Sequence, residues 1–240
     1  MKRTSQQRPP VRVASYNVRK CVGLDRQRAP ERVLSVISEL DADVIAVQEA
    51  DFRLGERPTA IPHDFIEKYT DMVPVALGGG DVSLGWHGNA VLVRKGARVT
   101  AAERLLLPHL EPRGAVLIEF EHKDRSLRLV ATHLGLTRSF RRRQLRAIAA
   151  DLRRRAAMPT VILGDFNEWS HRRGLEPLLE RFEVHAPGRS FHAARPVAAL
   201  DRIATSRDIA LADAAVHERG AALKASDHLP VWADLLLPAA

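Results

Sequence analysis

The chain is short of several things, and each shortage excludes a class of protein. It has one cysteine, Cys21, in 240 residues, which rules out an internal disulfide framework and fits a reducing compartment. No apolar run approaches the roughly 20 residues needed to cross a bilayer. The first ten residues lack the apolar core of a signal peptide. Residues 1–10 therefore read as a short disordered lead-in, residues 11–240 as one domain, and the protein as cytoplasmic. No His/Cys cluster has zinc spacing, which argues against a structural zinc site. There is no GxxxxGK[ST] phosphate loop and no GxGxxG fingerprint, so neither a P-loop hydrolase nor a Rossmann dehydrogenase is supported. Ser190 and Ser226 lack the context of a nucleophile elbow, which speaks against a serine hydrolase. Linkers, solenoid repeats and low-complexity segments are also missing.

What is present is an ordinary globular composition, 45% apolar and 28% charged, with length enough for a large core. The net charge is +8, and most of the excess is local. From Arg138 to Arg155 eight arginines stand against one acid, Asp151. Phe140, Leu145, Ile148, Ala149 and Leu152 recur there at helical spacing, which predicts an amphipathic helix with an arginine-rich outer face. That face either contacts a polyanion or is simply solvated. Aromatic residues, 5% of the chain, are not interleaved with these arginines as a base-stacking surface requires.

Elsewhere β-rich runs alternate with helical ones. Strands are expected at 11–16, 44–47, 90–93, 115–120, 127–131, 160–163, 202–204 and 231–235. A helix is expected from Pro30 to Leu40 through Val33, Leu34 and Ile37, with proline suited to its first turn. Gly78-Gly79-Gly80 and Pro187-Gly188 mark loops. The pattern fits one layered α/β domain with mixed sheets.

Polar residues gather at the ends of these runs. Asn17, Glu49, His133, Asp165 and Asn167 follow strands, while Asn89, Asp201, Asp227 and His228 precede them. Singly, the asparagines suit turns, Asp227 suits a cap, and His133 suits a hydrogen-bonded structural role. Together they form an inventory of oxygen ligands and acid–base groups. In Leu163-Gly164-Asp165-Phe166-Asn167 the acid and the amide lie two residues apart, so both emerge on one side of an extended chain. A hard cation such as Mg²⁺ takes carboxylate and amide oxygens, and Glu49 with Asn17 nearby would suit it.

The blocks Ser15-Tyr16-Asn17, Val47-Gln48-Glu49, Gly88-Asn89, Thr132-His133-Leu134-Gly135, Gly164-Asp165-Phe166-Asn167, Leu200-Asp201-Arg202-Ile203 and Ser226-Asp227-His228-Leu229-Pro230 resemble the endonuclease/exonuclease/phosphatase superfamily, the DNase I-like enzymes. They occur in family order from residue 15 to residue 230. The resemblance implies a four-layer α/β/β/α sandwich of two packed mixed β-sheets. It implies a Mg²⁺- or Mn²⁺-dependent phosphoester hydrolase acting through in-line attack by water. Asn17, Glu49 and Asp227 would form the metal site. Asp165 would orient or deprotonate water, with Asn167 holding phosphate or that water. His228 would pair with Asp201, His133 would be a second acid–base group or phosphate donor, and Asn89 and Arg113 would bind substrate. Glu111-Pro112-Arg113-Gly114-Ala115 and Phe140-Arg141-Arg142-Arg143-Gln144 belong to the same likeness, which is nearest to small bacterial members of unassigned substrate.

Arg19 stands where many relatives have histidine, and Cys21 where they have glycine, which bears on substrate preference. His87, His171 and His192 read as loop histidines. The implied substrate is a phosphodiester, in nucleic acid or a phospholipid headgroup, handled by a monomer. Trp86 is the one apolar residue placed to suit a lipid. A phosphomonoesterase of inositol-phosphatase type shares the chemistry. An inactive binding module with the same fold would usually lack Glu49, Asp165 or His228, and all three are here.

Overall fold

The computed structural model of the protein describes residues 9–77, 82–171 and 173–238. Residues 1–8 of the expected lead-in and the glycine loop at 78–80 lie outside them. The strands are β1 (Val11–Asn17), β2 (Val44–Gln48), β3 (Met72–Pro74), β4 (Ala90–Arg94), β5 (Arg98–Leu105), β6 (Ala115–His122), β7 (Arg125–His133), β8 (Thr160–Asp165), β9 (Phe182–His185), β10 (Asp201–Ser206), β11 (Ala210–Val216) and β12 (Val231–Leu236). The helices are α1 (Pro30–Glu39), α2 (His63–Tyr69), α3 (Arg138–Arg153) and the single turn α4 (Ala222–Ala225). One six-stranded sheet runs β11-β12-β1-β2-β4-β3 and the other β5-β6-β7-β8-β10-β9. In each sheet one central pair is parallel, β1 with β2 and β7 with β8; the other pairs are antiparallel.

Side-chain alternation along the strands builds three apolar layers. Val11 and Val13 of β1, Val44 and Ala46 of β2, Leu127, Leu129 and Ala131 of β7, Val161 and Leu163 of β8, and Ile203 of β10 meet between the sheets. Each fully buried valine, leucine or isoleucine among them contributes about 1.5–3 kcal/mol. The opposite face of the first sheet packs Ala14, Tyr16, Ile45 and Val47 against Val33, Leu34 and Ile37 of α1 and Ile66 of α2. The outer face of the second packs Val130, Ile162 and Ala204 against Leu145, Ile148, Ala149 and Leu152 of α3. The result is the expected α/β/β/α sandwich.

Two expectations need correction. Arg141 is not on the outer face of α3. It is buried, and its guanidinium bonds Glu168 and the carbonyls of Gly135 and Leu136. Phe140, expected in the apolar stripe, is only partly buried, with the Arg143 guanidinium 5.3 Å from its ring centre. The amphipathic pattern is real, but a guanidinium with a carboxylate beneath it can enter the buried face. Among the described residues no helix is long and apolar enough to cross a membrane.

Candidate active site

The inter-sheet rows of side chains do not end in apolar residues. Counting in twos, the row Val11-Val13 continues to Asn17, Leu127-Leu129-Ala131 to His133, Val161-Leu163 to Asp165, and Ile203 back to Asp201. Pairing aligns them: β7 and β8 set His133 opposite Asp165, and β8 and β10 set Asp165 opposite Asp201. Three chemistry-bearing residues thus stand side by side across neighbouring strands. Gly164 makes room one step earlier, with φ of 146° and a position where a Cβ would lie 1.8 Å from the Thr132 carbonyl oxygen. A side chain there would force β7 and β8 apart.

The two sheets are joined at this row. The Asn17 Nδ2 donates to Asp165 Oδ2 at 3.1 Å. The hydroxyl of Ser226 donates to the Asn17 carbonyl at 2.7 Å, which fastens the loop carrying His228 to the end of β1. His228 Nδ1 lies 2.9 Å from Asp201 Oδ2, and its Nε2 lies 3.7 Å from Asp165 Oδ2. The Ser190 hydroxyl donates to the same Asp201 oxygen at 2.5 Å. The Asn167 N–H donates to Asp165 Oδ1 at 2.9 Å, and its side-chain amide to the Leu134 carbonyl at 2.9 Å.

The two buried histidines carry different charge. A guanidinium can only donate, and Arg113 Nη1 lies 2.6 Å from His133 Nδ1. That nitrogen must therefore hold its lone pair, so the proton is on Nε2, which faces Asp165 Oδ2 at 3.3 Å. Burial lowers the His133 pKa, and the neighbouring Arg113 adds to the effect; His133 is neutral. Burial also disfavours charge on His228, but Asp201 and Asp165 outweigh it and lift its pKa to about 10. Asp165 is held well below the usual carboxylate range; burial opposes its charge, and His228, His133 and the Asn167 N–H overcome that. Burial lifts the Asp201 carboxyl against the pull of His228. The row is an ionised carboxylate between a neutral and a cationic imidazole, a separation of states that acid–base sites use.

Glu49 sits just past β2 with φ of 55°. Its Oε1 accepts from Arg53 at 2.9 Å and its Oε2 from the Lys20 ammonium. Burial works against ionisation, but the Lys20 and Arg53 cations hold its pKa below the usual carboxylate range. Glu49, Arg53, Arg113 and His133 line a small recess together with Arg57 and His87. Beside it lies a cavity of about 440 Å³ that shares Arg57 and His87 and also meets His63, Trp86 and Arg104.

Two expected residues lie apart from the row. Asn89 is fully buried, and its amide donates to the Gly114 carbonyl at 3.0 Å, bracing the loop that presents Arg113. Asp227 is half-buried, 3.4 Å from Arg19 Nε. Three contributors were not anticipated: Lys20, Arg53 and Ser190. The basic pair Arg19-Lys20 after Asn17 was a usable signal; Ser190, whose partner is eleven positions away, offers no local one. His87, read as a loop histidine, lines the recess with Nδ1 3.0 Å from Arg57 Nη1.

A hard divalent cation fits the donor chemistry at Glu49. The carboxylate is ionised at neutral pH, and among the described residues the Asn17 Oδ1 accepts only the Arg19 N–H, at 3.1 Å. Ligand atoms of Asp165, Asp201 and His228 also lie within 4.8 Å of one another. In that trio His228 Nδ1 is already engaged by Asp201, which leaves Nε2 and the two carboxylates as the atoms that could meet a cation or exchange a proton.

Residues 14–228 match the profile described as "Endonuclease/Exonuclease/phosphatase family". A search of curated proteins finds no significant match. Among solved structures, the endonuclease/exonuclease/phosphatase of Beutenbergia cavernae superposes with a TM-score of 0.75 at 18% identity, over 97% of this chain and 73% of the other. The mannosyl-6-phosphatase of Bacteroides thetaiotaomicron gives 0.71 at 17%, over 95% and 100%. TDP2 of D. rerio, complexed with a single-strand DNA product, gives 0.68 at 15%, over 94% and 98%. These likenesses share the two-sheet architecture, and the sequence match runs from within β1 to His228, the same strand ends that converge on Asp165. The chain belongs to the endonuclease/exonuclease/phosphatase family.

Proposed function

We propose that the protein is a divalent-metal-dependent phosphodiesterase, cutting nucleic acid or a phospholipid headgroup by in-line attack of water. The observation that carries this reading is Asp165, ionised at the junction of both sheets and flanked by one neutral and one cationic imidazole. Glu49 and Asn17 would hold the metal, with Asp227 behind them beside Arg19. When bound, the metal supplies Lewis-acid stabilisation of the phosphoryl charge. Asp165 accepts a hydrogen bond from the attacking water and takes its proton as the new P–O bond forms and the opposite P–O bond breaks, its electron pair leaving on the ester oxygen, which takes a proton from solvent to depart as the alcohol. His133, locked as the Nε2–H tautomer by Arg113, keeps the Asp165 carboxylate aimed. Among the described residues the nearest carboxylate oxygen to His228 Nε2 is Asp165 Oδ2 at 3.7 Å, beyond hydrogen-bond distance, so its N–H is available to the charge developing on the phosphoryl oxygens, with Asp201 and Ser190 holding the ring. Arg113 binds phosphate through the guanidinium N–H groups that His133 leaves over, and Asn167 closes the other side.

A family likeness to both a sugar-phosphate phosphatase and a DNA-binding relative supports phosphoester chemistry and leaves the substrate to experiment. The test is a hydrolysis panel with purified protein: plasmid DNA, RNA, sphingomyelin, glycerophospholipids, and inositol and sugar monophosphates. Turnover of a diester that EDTA abolishes and Mg²⁺ or Mn²⁺ restores is expected. Preference for monoesters would move the reading to a phosphomonoesterase, and metal-independent turnover would overturn it.

A further inference from the structure

Both carboxylate oxygens of Glu49 are engaged by side-chain cations, and the two cations differ. Arg53 reaches Oε1 from an exposed loop, with 54% of its side chain accessible, and such pairs are loosely held. Lys20 reaches Oε2 from a constrained turn and is only 26% accessible. Arg19, Lys20 and Cys21 have φ of 46°, 55° and 62°, three successive non-glycine residues in the left-handed region that a Cβ disfavours. The turn is pinned by the Lys20 N–H to the Glu49 carbonyl at 3.1 Å, the Cys21 N–H to Val18 at 2.7 Å and the Val22 N–H to Arg19 at 3.0 Å. Cys21 itself is buried. The backbone of Lys20 is therefore tied to the same residue that its ammonium contacts.

An ammonium and a divalent cation compete for the same carboxylate lone pairs. We infer that Lys20 is a built-in counter-ion for the Glu49 metal seat: it holds the carboxylate in place without metal and is displaced when metal enters. Lys20 is thus a positioning residue, acting through Glu49, and it sets metal affinity. On displacement its ammonium is released beside the recess that holds Arg113, where an anionic substrate would meet it. This inference rests on Glu49 being the metal seat, as proposed above.

The test needs no substrate. Binding of Mn²⁺ to the full chain is followed by the loss of the free-ion EPR signal in wild type, Lys20→Met, Lys20→Arg, Glu49→Gln and the Lys20→Met/Glu49→Gln double variant. Lys20→Met should bind about tenfold tighter than wild type, the effect of removing one charged hydrogen bond. Lys20→Arg should stay near wild type, and both Glu49→Gln proteins should bind weakest. In unaltered protein, Mg²⁺ should raise acetylation of Lys20 as read by peptide mass spectrometry, and should not do so in Glu49→Gln. This second readout stands even if Lys20→Met folds poorly. Equal or weaker binding by Lys20→Met, with Glu49→Gln still impaired, overturns the role of Lys20 and leaves the seat intact. Absence of Mn²⁺ binding, or Glu49→Gln binding like wild type, overturns the seat and the inference together.

Discussion

The strand-end row and helix α3 are the two places where this chain concentrates polar chemistry, and the fold uses the charges differently. In the row, residues from β1, β7, β8, β10 and the loop before β12 converge on one carboxylate, although up to 148 positions separate the hydrogen-bonded pair Asn17 and Asp165. In and just after α3, contiguous arginines disperse. Arg138 and Arg141 share Glu168, Arg142 lies 3.6 Å from Glu176, Arg154 meets Asp151, and Arg155 is divided between Asp151 and Glu103. Arg143, Arg146 and Arg153 have no carboxylate within 4 Å among the described residues. Local density of charge is thus a poor guide to a site. Convergence set by strand register is a good one, because groups held in register cannot relax away from one another.

The sharpest way to break that contrast is to remove the centre of the row. Asp165→Asn should lower kcat by at least about 10²-fold, the usual weight of a positioned acid–base group, with thermal melting checked alongside. Replacing Arg143, Arg146 and Arg153 together by alanine should leave kcat on a small diester within about twofold. If Asp165→Asn keeps its rate, the row is scaffold and the chemistry lies elsewhere.

A middle-sized effect concerns stability and separates the buried arginine from its exposed neighbours. Glu168 is 1% accessible. Burial opposes its charge, but Arg138, the Ser170 N–H and Arg141 bring its pKa to about 2. A depressed acid stabilises the fold above its unfolded value, near 4.5, and that contribution fades as pH falls through about 2. Glu168→Gln should cost about 2 kcal/mol at pH 7, allowing for the half-exposed Arg138. In urea melts from pH 7 to pH 3 the variant should lose less stability than wild type. Parallel pH curves would show that Glu168 contributes no linked protonation.

The same contrast explains what the sequence disclosed. The eight strands found from apolar runs are the interior ones, most of them buried along nearly their whole length. The four that escaped, β3, β5, β9 and β11, are the outer strands of the two sheets. An edge strand such as β11, Ala-Leu-Ala-Asp-Ala-Ala-Val, is exposed along most of its length and has little apolar signature to read. At the site, residues that end an apolar row were legible because the row itself is legible. Ser190 was not, since its role depends on Asp201, 11 positions away, and for Lys20 the basic pair with Arg19 was a signal that did not disclose its partner Glu49, 29 positions away. Asn89 was legible as a polar residue beside a strand, but its bond to Gly114 shows that position in a motif does not fix which way an amide turns.

The smallest effect tests whether α3 has any part in binding. Arg143, Arg146 and Arg153 follow a spacing of three and seven, so they share a stripe on the solvent side of a helix whose other face is held by Leu145, Ile148 and Leu152. At 1.5 Å per residue, Arg153 lies about 22 Å along the axis from Arg138, the arginine whose partner, Glu168, follows Asn167. Only the first two turns of α3, through Gln144 on the Gly135 N–H, are therefore near the strand ends. On a long duplex, every phosphate that the protein neutralises adds about 0.9 to the slope of log affinity against log salt. The triple alanine variant should shift that slope by less than one, with affinity within about threefold of wild type. A shift approaching three would mean that all three arginines meet phosphates, and the helix would then be an extended track for polyanions leading to the row.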